Sequence, residues 1–356
     1  MSGALSLDRY QLMGRSGLRV SPLSLGTMTF GQNWGWGAER EEARRIFDMY
    51  VARGGNFVDT ANQYTDGTAE QFIGAFVAGR RDRMVIATKY TLPARDGDPN
   101  SGGNHRKSMV TSVERSLRRL ATDYIDLLYL HAWDGTTPPE EILRAMDDLV
   151  RAGKVLYLGI SNTAAWRISQ MQAIADLRGW SPLIVLQVEY NLVERTAERE
   201  LIPMAHEMGL GITGWAPLKS GLLTGKYEVT DGRSVDEYLT PRSRREILRA
   251  NGMFTQRSAA IVNVVRSIAE EIGKTPSQIA LAWVLLNRTI TPILGVRTAE
   301  QLDDNLGALE VTLTEGHRAR LGEVSAIELG CPHDQVARLL NKGILHGGVT
   351  IALRTT

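Results

Sequence analysis

Short hydrophobic runs bounded by turn residues recur along the chain, and an amphipathic stretch follows nearly every one. The runs are continuous rather than strictly alternating, which is typical of parallel strands covered on both faces. They predict strands at about residues 21–25, 55–59, 84–88, 125–130, 156–160, 183–189, 211–215 and 290–294. Apolar positions at helical spacing predict helices at about residues 39–53, 68–79, 106–120, 138–152, 164–178, 194–208, 258–272, 276–287 and 298–308.

Eight strands that alternate with helices predict an α/β fold of the (β/α)8 TIM-barrel type. A doubly wound sheet is the alternative, and it needs a glycine-rich phosphate-binding turn after an early strand. The turn at residues 26–31 reads GTMTFG, which lacks the G-x-G-x-x-G spacing, so the barrel is favoured. Before the first strand, residues 10–12 and 18–20 flank a glycine-containing turn and predict a hairpin that closes the bottom of the barrel.

The length of 356 residues suits one such barrel with insertions. We expect a single domain over residues 1–356, with a core at about 12–309 and a C-terminal tail or loop at 310–356. Residues 219–257 form the longest irregular insertion, which is polar and contains a basic run at 242–245. It follows the seventh predicted strand, on the face where barrel enzymes carry their active sites.

The composition excludes several classes of protein. Lys+Arg 41 against Asp+Glu 40 leaves a net charge of +1, too balanced for a nucleic-acid or anionic-membrane binder. The single Cys331 excludes an internal disulfide, and 6 scattered histidines predict no structural metal site. The first residues lack the apolar stretch that a secretion signal needs, and none of the apolar runs approaches membrane-spanning length. We expect a soluble cytoplasmic protein, a monomer or weak homo-oligomer, with no metal, nucleic-acid or membrane partner.

Three ionisable residues close three successive predicted strands: Asp59, Lys89 and His131. Tyr64 lies in the loop five residues past Asp59. Because side chains alternate along a strand, Lys89 and His131 each share a face with apolar residues two and four positions earlier. If that face is the barrel interior, both point into one axial pocket. A buried lysine needs a carboxylate partner, and Asp59 on the neighbouring strand is the natural one.

This set of residues suits the reduction of a carbonyl group by a bound hydride donor. Tyr64 would give a proton to the developing alkoxide, but a phenol has a pKa of about 10. Bringing that pKa to neutrality takes roughly 4 kcal/mol, and a cation about 4 Å away supplies roughly 4 kcal/mol at an effective dielectric constant near 20. We therefore expect Lys89 to make Tyr64 a useful acid, and His131 to orient or polarise the substrate oxygen.

The chain resembles the aldo-keto reductases, in the branch that includes aryl-alcohol dehydrogenase-like enzymes and potassium-channel β subunits. The resemblance covers about residues 12–309 and is carried by the blocks LSLGTMTFG, FVDTANQY, VIATKY, LLYLHAWD, GKVLYLGISN, LQVEYN, GWAPLKSGLLTGKY and ILGVRTAEQLDDN. It implies that Asp59, Tyr64, Lys89 and His131 are the catalytic tetrad, with Tyr64 as the general acid. The implied reaction is the reversible, NADPH-dependent reduction of a small-molecule aldehyde or ketone.

The resemblance also implies a nicotinamide cofactor that lies across the barrel mouth without a glycine-rich dinucleotide fold. Ser161, Asn162 and Gln187 would hold its carboxamide, and Trp215 would stack on the nicotinamide ring. Residues 218–226 would cover the pyrophosphate. The other cofactor contacts that the resemblance implies are Gly26, Thr27, Met28, Asp59, Ala216, Pro217, Leu218, Ser220, Leu222, Lys226, Gly295, Arg297, Gln301 and Asn305.

The expected cofactor is NADPH, with NADH as the alternative. Many family members carry a lysine and a second arginine near the adenosine 2′-phosphate, where this chain has Gly295 and Gln301. Arg297 is then the main cation of that segment. One guanidinium can pair with a phosphate through two hydrogen bonds, which favours NADPH.

Trp34, Tyr64, Tyr90, His131 and Trp133 are the expected substrate-binding residues. Neither the carbonyl compound nor the physiological direction of the reaction follows from the pattern. Three other functions stay open: a nucleotide-sensing regulatory subunit with slow turnover, an alcohol dehydrogenase that prefers NAD(H), and a non-redox barrel enzyme with Lys89 as a Schiff-base amine.

Overall fold

The computed structural model describes residues 5–227, 252–349 and 351, and eight of its strands close into a parallel barrel. The basic run at 242–245 and residues 228–251 of the predicted insertion lie outside the described residues. The strands of the described residues are β1 (Gln11–Leu12), β2 (Arg19–Val20), β3 (Ser24–Gly26), β4 (Phe57–Asp59), β5 (Val85–Tyr90), β6 (Ile125–Leu130), β7 (Val155–Ser161), β8 (Leu183–Glu189), β9 (Gly211–Trp215) and β10 (Ile290–Gly295). Around the barrel the strands follow the order β10-β3-β4-β5-β6-β7-β8-β9.

Helices cover the outside of the barrel, so the predicted (β/α)8 fold is confirmed. The α-helices of the described residues are α1 (Arg40–Ala52), α2 (Thr68–Phe76), α3 (Arg106–Leu120), α4 (Pro139–Arg151), α5 (Ala165–Arg178), α6 (Leu201–Glu207), α7 (Gln256–Ile272), α8 (Pro276–Val284), α9 (Ala299–Leu306), α10 (Glu315–Val324) and α11 (His333–Asn341). Short 3₁₀ turns occur at Tyr64–Gly67, Arg81–Arg83, Thr196–Glu198, Lys219–Thr224 and Gly307–Glu310.

The lower half of the barrel interior is filled by apolar side chains that alternate along the strands. Val85 and Ala87 of β5 lie in this inner cluster with Leu127 and Tyr129 of β6. Alternation therefore turns the next residue in each series, Lys89 and His131, toward the same interior at the carboxyl ends of the strands. Barrel enzymes place their active sites at this end.

The N-terminal hairpin formed by β1 and β2 closes the other end of the barrel, as the sequence predicts. Met13 and Val20 of the hairpin belong to the inner apolar cluster. The hairpin turn packs so closely that a Cβ atom on Gly14 would lie 2.3 Å from the carbonyl oxygen of Ile184. Gly14 also has a φ of +55°, and both facts require glycine at this position.

Two predicted elements differ from the structure because of proline. The first barrel strand begins at Ser24 rather than residue 21, since Pro22 cannot donate a hydrogen bond to a neighbouring strand. The helix predicted at residues 194–208 divides into a 3₁₀ turn and α6. Pro203 is the third residue of α6, where its missing N–H needs no partner within the helix.

The C-terminal region, predicted as a tail or loop, contains α10 and α11. Thr314 caps α10 in a reciprocal arrangement with His317. Across the residues that the structure describes, none of the helices combines the length and the apolar character that crossing a membrane would require.

Candidate active site

The ammonium group of Lys89 is the centre of a hydrogen-bonded cluster at the carboxyl ends of β4 and β5. The side chain is 0% exposed. Its Nζ atom donates to Oδ1 of Asp59 at 2.5 Å, to the carbonyl oxygen of Thr60 at 2.8 Å and to Oη of Tyr64 at 3.1 Å. An ammonium has three hydrogens, so every donor of Lys89 has an acceptor.

These contacts keep Lys89 charged inside the barrel. Burial lowers the pKa of Lys89, but the charge of Asp59 and the contact with Tyr64 outweigh burial and raise the pKa above its ordinary value. Asp59 is itself buried, and its second oxygen accepts a hydrogen bond from Nε2 of Gln187 at 2.8 Å. Both oxygens of the carboxylate are therefore paired, as the cost of burying a charge requires.

The phenol of Tyr64 differs from the expectation in one respect. Burial raises its pKa, the Lys89 charge lowers it and the Asp59 charge raises it again, so the pKa ends above the ordinary value rather than near neutrality. Burial is the largest cause, and Asp59 adds to it by offsetting part of the Lys89 field at the phenol. Tyr64 consequently carries its proton at neutral pH. Since Lys89 donates to Oη, the phenolic hydrogen is left for another acceptor.

His131 lies next to Tyr64 and is a neutral imidazole. The two rings meet edge to face with their centroids 6.1 Å apart. Burial, together with the nearby Lys89 charge, lowers the pKa of His131 to about 3. The backbone of His131 is fixed on both sides, because its N–H donates to the Tyr90 carbonyl and its carbonyl accepts from Nδ2 of Asn162 at 2.8 Å.

Ser161 and Trp215 end β7 and β9, and Gln187 lies two residues before the end of β8. A cavity of about 440 Å³ is bordered here by Asn162, Gln187 and Trp215. The hydroxyl of Ser161 and the indole N–H of Trp215 are buried without a hydrogen-bond partner. Such unpaired buried groups are rare in proteins and mark a place where a polar ligand fits. A carboxamide has the donor and acceptor atoms that the Ser161 hydroxyl and the amide of Asn162 require, so these residues fit a nicotinamide.

The turn after β9 has an unusual backbone. Ala216, Lys219 and Ser220 have positive φ angles of 50°, 45° and 52°, and Gly221 follows at 90°. The ammonium of Lys219 donates to Oε1 of Glu189 at 2.6 Å, which fixes this turn to the end of β8. Of the expected cofactor residues on this turn, Pro217 and Leu222 are buried, Leu218 and Ser220 are half-buried, and Lys226 is exposed.

The remaining cofactor candidates lie where β3 and β10 end side by side. Gly26 pairs with Gly295 across the two strands. Thr27 is buried and gives both its N–H and its hydroxyl to the Asp59 carbonyl oxygen, whereas Met28 is 45% exposed. At these strand ends, Met28 is therefore accessible to a cofactor, whereas Thr27 is buried against the backbone of Asp59.

Arg297 follows β10 and is half-exposed. The side chain of Gln301 folds back, and its Oε1 accepts a hydrogen bond from the Arg297 backbone N–H at 2.9 Å. Among residues 5–227, 252–349 and 351, the Arg297 guanidinium has no ion-pair partner. Asn305 is buried one turn later in α9.

The structure does not bring all the expected substrate residues together. Tyr90 is fully buried in the cluster between strands and helices, because alternation along β5 turns it away from Lys89. The expectation that Tyr90 contacts substrate does not fit this position. Trp34 is half-buried and donates to Asp66 at 3.3 Å. The ring of Trp133 packs against Arg167, whose guanidinium lies 4.3 Å from the ring centroid.

Two contributors to the site were missed in the sequence. The Thr60 carbonyl is one of three acceptors for Lys89, and a backbone carbonyl leaves no signal in a sequence. The Glu189–Lys219 ion pair had a weak signal, since a glutamate ends an otherwise apolar strand and a lysine follows the next strand. The two residues are 30 positions apart in the chain, so the sequence alone did not indicate that they form a pair.

Comparison with known proteins identifies the family to which this arrangement of residues belongs. The model of the aldo/keto reductase family matches residues 22–326. The chain is 36% identical over 344 residues to aldo-keto reductase ausK of Aspergillus calidoustus, covering 93% of this chain and 85% of that protein. It is 36% identical over 340 residues to an aryl-alcohol dehydrogenase [NADP(+)] of Phanerodontia chrysosporium, covering 91% and 87%.

A norsolorinic acid reductase of Aspergillus flavus is similar to the same degree, at 35% identity over 332 residues, which cover 90% of this chain and 82% of that protein. The match of the family model spans the barrel and every strand end described above. The chain therefore belongs to the aldo/keto reductase family and is an NAD(P)H-dependent oxidoreductase of the class that acts on carbonyl groups.

Proposed function

We propose that this protein reduces an aldehyde or ketone to the alcohol with NADPH, and that Tyr64 supplies the proton. The observation that carries the proposal is the 3.1 Å contact between Oη of Tyr64 and Nζ of a fully buried Lys89. When bound, the reduced nicotinamide supplies the hydride that the carbonyl carbon receives.

Each member of the tetrad has a separate part in the proposed reaction. The neutral His131 forms a hydrogen bond with the carbonyl oxygen and orients it toward Tyr64. Tyr64 transfers its phenolic proton to that oxygen as negative charge develops there. Lys89 stabilises the tyrosinate that is left, and Asp59 holds Lys89 in place through the 2.5 Å ion pair. In alcohol oxidation the same tyrosinate takes the proton back.

The proposed cofactor residues are those that the sequence indicated around the cavity and the neighbouring turns. Ser161, Asn162 and Gln187 would bind the carboxamide, and the ring of Trp215 would lie against the nicotinamide. The unpaired hydroxyl of Ser161 supports this placement. Residues 218–226 would cover the pyrophosphate.

A preference for NADPH over NADH is part of the proposal. The Arg297 guanidinium has no carboxylate partner in the described part of the chain, so it is available for a 2′-phosphate. The name of the Phanerodontia chrysosporium relative includes NADP(+), which supports the same choice.

The proposed substrate is an aromatic carbonyl compound. One similar enzyme is named for aryl alcohols and another for norsolorinic acid. Trp34 at the barrel mouth has a half-exposed indole that would stack on an aromatic ring.

The test is the disappearance of reduced-nucleotide absorbance against a panel of aryl aldehydes, alkyl aldehydes and ketones, measured in parallel with NADPH and NADH. We expect turnover of the aryl aldehydes and a higher kcat/KM with NADPH. Tight binding of NADPH with no turnover of any carbonyl would instead identify a nucleotide-binding regulatory protein. Trapping of a carbonyl compound on Lys89 by borohydride would identify Schiff-base chemistry.

A further inference from the structure

A second buried ion pair lies behind the loop that carries Tyr64, outside the tetrad. Nε of Arg119 in α3 donates to Oε2 of Glu70 in α2 at 2.6 Å, and Glu70 is 0% exposed. A buried ion pair is weak evidence for stability, because desolvation of the charges offsets much of their attraction. The contacts of this pair with its surroundings indicate a more specific role.

The turn that begins at Tyr64 has a strained backbone. Thr65, Asp66 and Gly67 follow Tyr64 with φ angles of 46°, 58° and 91°. Each left-handed non-glycine residue costs about 1–2 kcal/mol, so such a turn persists only where surrounding contacts hold it. One side of the turn is held by the hydroxyl of Thr65, which donates to the Phe30 carbonyl at 2.6 Å.

Arg119 holds the other side of the same turn. Its Nη2 donates to the carbonyl oxygen of Asn62, two residues before Tyr64, at 3.3 Å. Its aliphatic part packs under Gly67, where a Cβ atom would lie 2.8 Å from Cδ of Arg119. The guanidinium group therefore contacts the chain before Tyr64 and the aliphatic part contacts the chain after it.

Glu70 connects this arrangement to the strand that carries Lys89. Its second oxygen accepts a hydrogen bond from the hydroxyl of Thr88 at 2.6 Å, and Thr88 directly precedes Lys89 in β5. Thr88 and Lys89 point to opposite faces of the strand, so the pair acts on the outer face of β5 while the tetrad occupies the inner face. The two ends of the Tyr64–Lys89 contact are thereby joined through Glu70 and Arg119.

We propose that the Glu70–Arg119 ion pair positions the hydroxyl of Tyr64 against the ammonium of Lys89. Both are positioning residues, since neither contacts the reacting atoms and their effect passes through Tyr64. The catalytic consequence rests on the proposed function, in which Tyr64 is the proton donor.

The test compares Arg119→Lys and Glu70→Gln with Arg81→Lys as a matched control. Arg81 forms a similar buried pair with Asp126 at 2.7 Å, but Asp126 accepts from the backbone of Ile86 near the amino end of β5, away from the tetrad. Each substitution is made in the wild-type chain and in Tyr64→Phe. The measurements are the single-turnover rate of carbonyl reduction by NADPH and the Kd for NADPH.

We expect Arg119→Lys and Glu70→Gln to slow single turnover about 10- to 100-fold, the size of effect that a small misplacement of a reacting group produces. The Kd for NADPH should stay within about twofold, and Arg81→Lys should leave the rate unchanged. In the Tyr64→Phe background the same substitutions should have no further effect, because residues that act through one group are not additive. An equal loss in both backgrounds, or an unchanged rate in both variants, would overturn the proposal.

A readout that needs no turnover separates this inference from the proposed function. With 3-fluorotyrosine incorporated, the fluorine resonance of Tyr64 is identified as the one that Tyr64→Phe removes. We expect that resonance to shift or broaden in Arg119→Lys and in Glu70→Gln and to stay in place in Arg81→Lys. An unmoved Tyr64 resonance would refute the positioning role even if carbonyl reduction is confirmed, and a moved one would support it even if the proposed reaction fails.

Discussion

Lys89 is completely buried, and each of its three hydrogens meets an acceptor within the protein. Two of those acceptors, Asp59 and the Thr60 carbonyl, orient the ammonium group. The third, Oη of Tyr64, is the atom at which charge develops in the proposed reaction. The ion pair therefore has opposite effects on catalysis, because it places the cation correctly and also weakens the field of the cation at the phenol.

Removing one member of this pair should destabilise the fold more than removing both. Lys89→Met leaves Asp59 buried without its cation, so we expect the free energy of unfolding to fall by about 3–5 kcal/mol, as for other broken buried pairs. In Asp59→Asn combined with Lys89→Met, much of that loss should be recovered while carbonyl reduction stays abolished. Denaturant unfolding curves of the three proteins measure the difference. A double variant as unstable as Lys89→Met would contradict the assignment of the loss to an unpaired charge.

The pH dependence of reduction should lack an acid limb at the ordinary pKa of histidine, near 6.5. The lowered pKa of His131, about 3, keeps the imidazole neutral at all higher pH values. The pKa of Tyr64, which burial raises above the ordinary value of a phenol, keeps the proton donor loaded throughout the neutral and mildly alkaline range. We expect kcat/KM for reduction to be flat from about pH 5 to about pH 9.5, and kcat/KM for alcohol oxidation to rise with pH as tyrosinate forms. A loss of reduction centred near pH 6.5 would show that His131 titrates freely.

For single residues, the sequence was sufficient to predict where the tetrad side chains lie, but not how their charges together shift the pKa of Tyr64. Alternation along β5 and β6 was enough to turn Lys89 and His131 inward, and the need for a counter-ion pointed to Asp59. The direction of the Tyr64 pKa shift depends first on how deeply the phenol is buried and then on its distances to two opposite charges. No pattern in the sequence contains these quantities. The same alternation, applied to Tyr90, would have excluded it from the pocket.

At the scale of elements, a glycine in β7 leaves space for a tyrosine ring of β6 that packs near Lys89. Gly159 of β7 faces the ring of Tyr129, and a Cβ atom there would lie 2.5 Å from ring carbons. The hydroxyl of Tyr129 forms a hydrogen bond with Thr213 across the barrel at 3.0 Å. Tyr129 thus fills the layer directly beneath Lys89, whose Nζ lies 6.0 Å from the centroid of the ring.

Gly159→Ala should therefore destabilise the barrel by about 1–3 kcal/mol, the usual cost of adding volume to a packed core. Gly322→Ala is the control, because apart from its chain neighbours and the surrounding backbone of α10 no atom lies within 4 Å of the position of its Cβ. That control should be neutral or stabilising by up to about 1 kcal/mol through helix propensity. Thermal and denaturant unfolding measure both, and equal stability of Gly159→Ala and wild type would contradict the packing account.

The predicted element boundaries agree with the structure where apolar periodicity is strong. They differ where proline or a weak apolar pattern determines the local structure. Pro22 and Pro203 shortened one strand and divided one helix, by removing backbone donors. The helices α10 and α11 were missed, because few of their residues are buried and their apolar pattern is weak evidence for packing. The strained turn at residues 64–67 has no pattern that predicts it, since two of its left-handed residues are not glycine.

In the whole molecule, one end of the barrel is closed by packed apolar residues and the other end carries the candidate active site. The hairpin and the apolar cluster around Met13 close the bottom, and the tetrad and the cavity beside Trp215 lie at the top. Mutations at the bottom of such a barrel are expected to change stability and leave the chemistry intact.

Met13→Ala tests this separation. Met13 is 2% exposed, so the substitution should lower the free energy of unfolding by about 2–5 kcal/mol. The value of kcat per folded molecule should stay within about twofold of wild type, because the cluster lies at the opposite end from Lys89. Unfolding curves and kcat are measured on the same preparation. A large drop in kcat at full occupancy of the folded state would show that the two ends are coupled.

Tyr64→Phe tests the central claim most directly, because it removes one hydroxyl and keeps the ring. The measurement is the single-turnover rate of carbonyl reduction beside the Kd for NADPH. We predict that the rate falls by about 10²- to 10⁴-fold, the usual contribution of a general acid, while the Kd changes less than about twofold. A rate near that of wild type, with NADPH bound equally well, would contradict the assignment of Tyr64 as the proton donor.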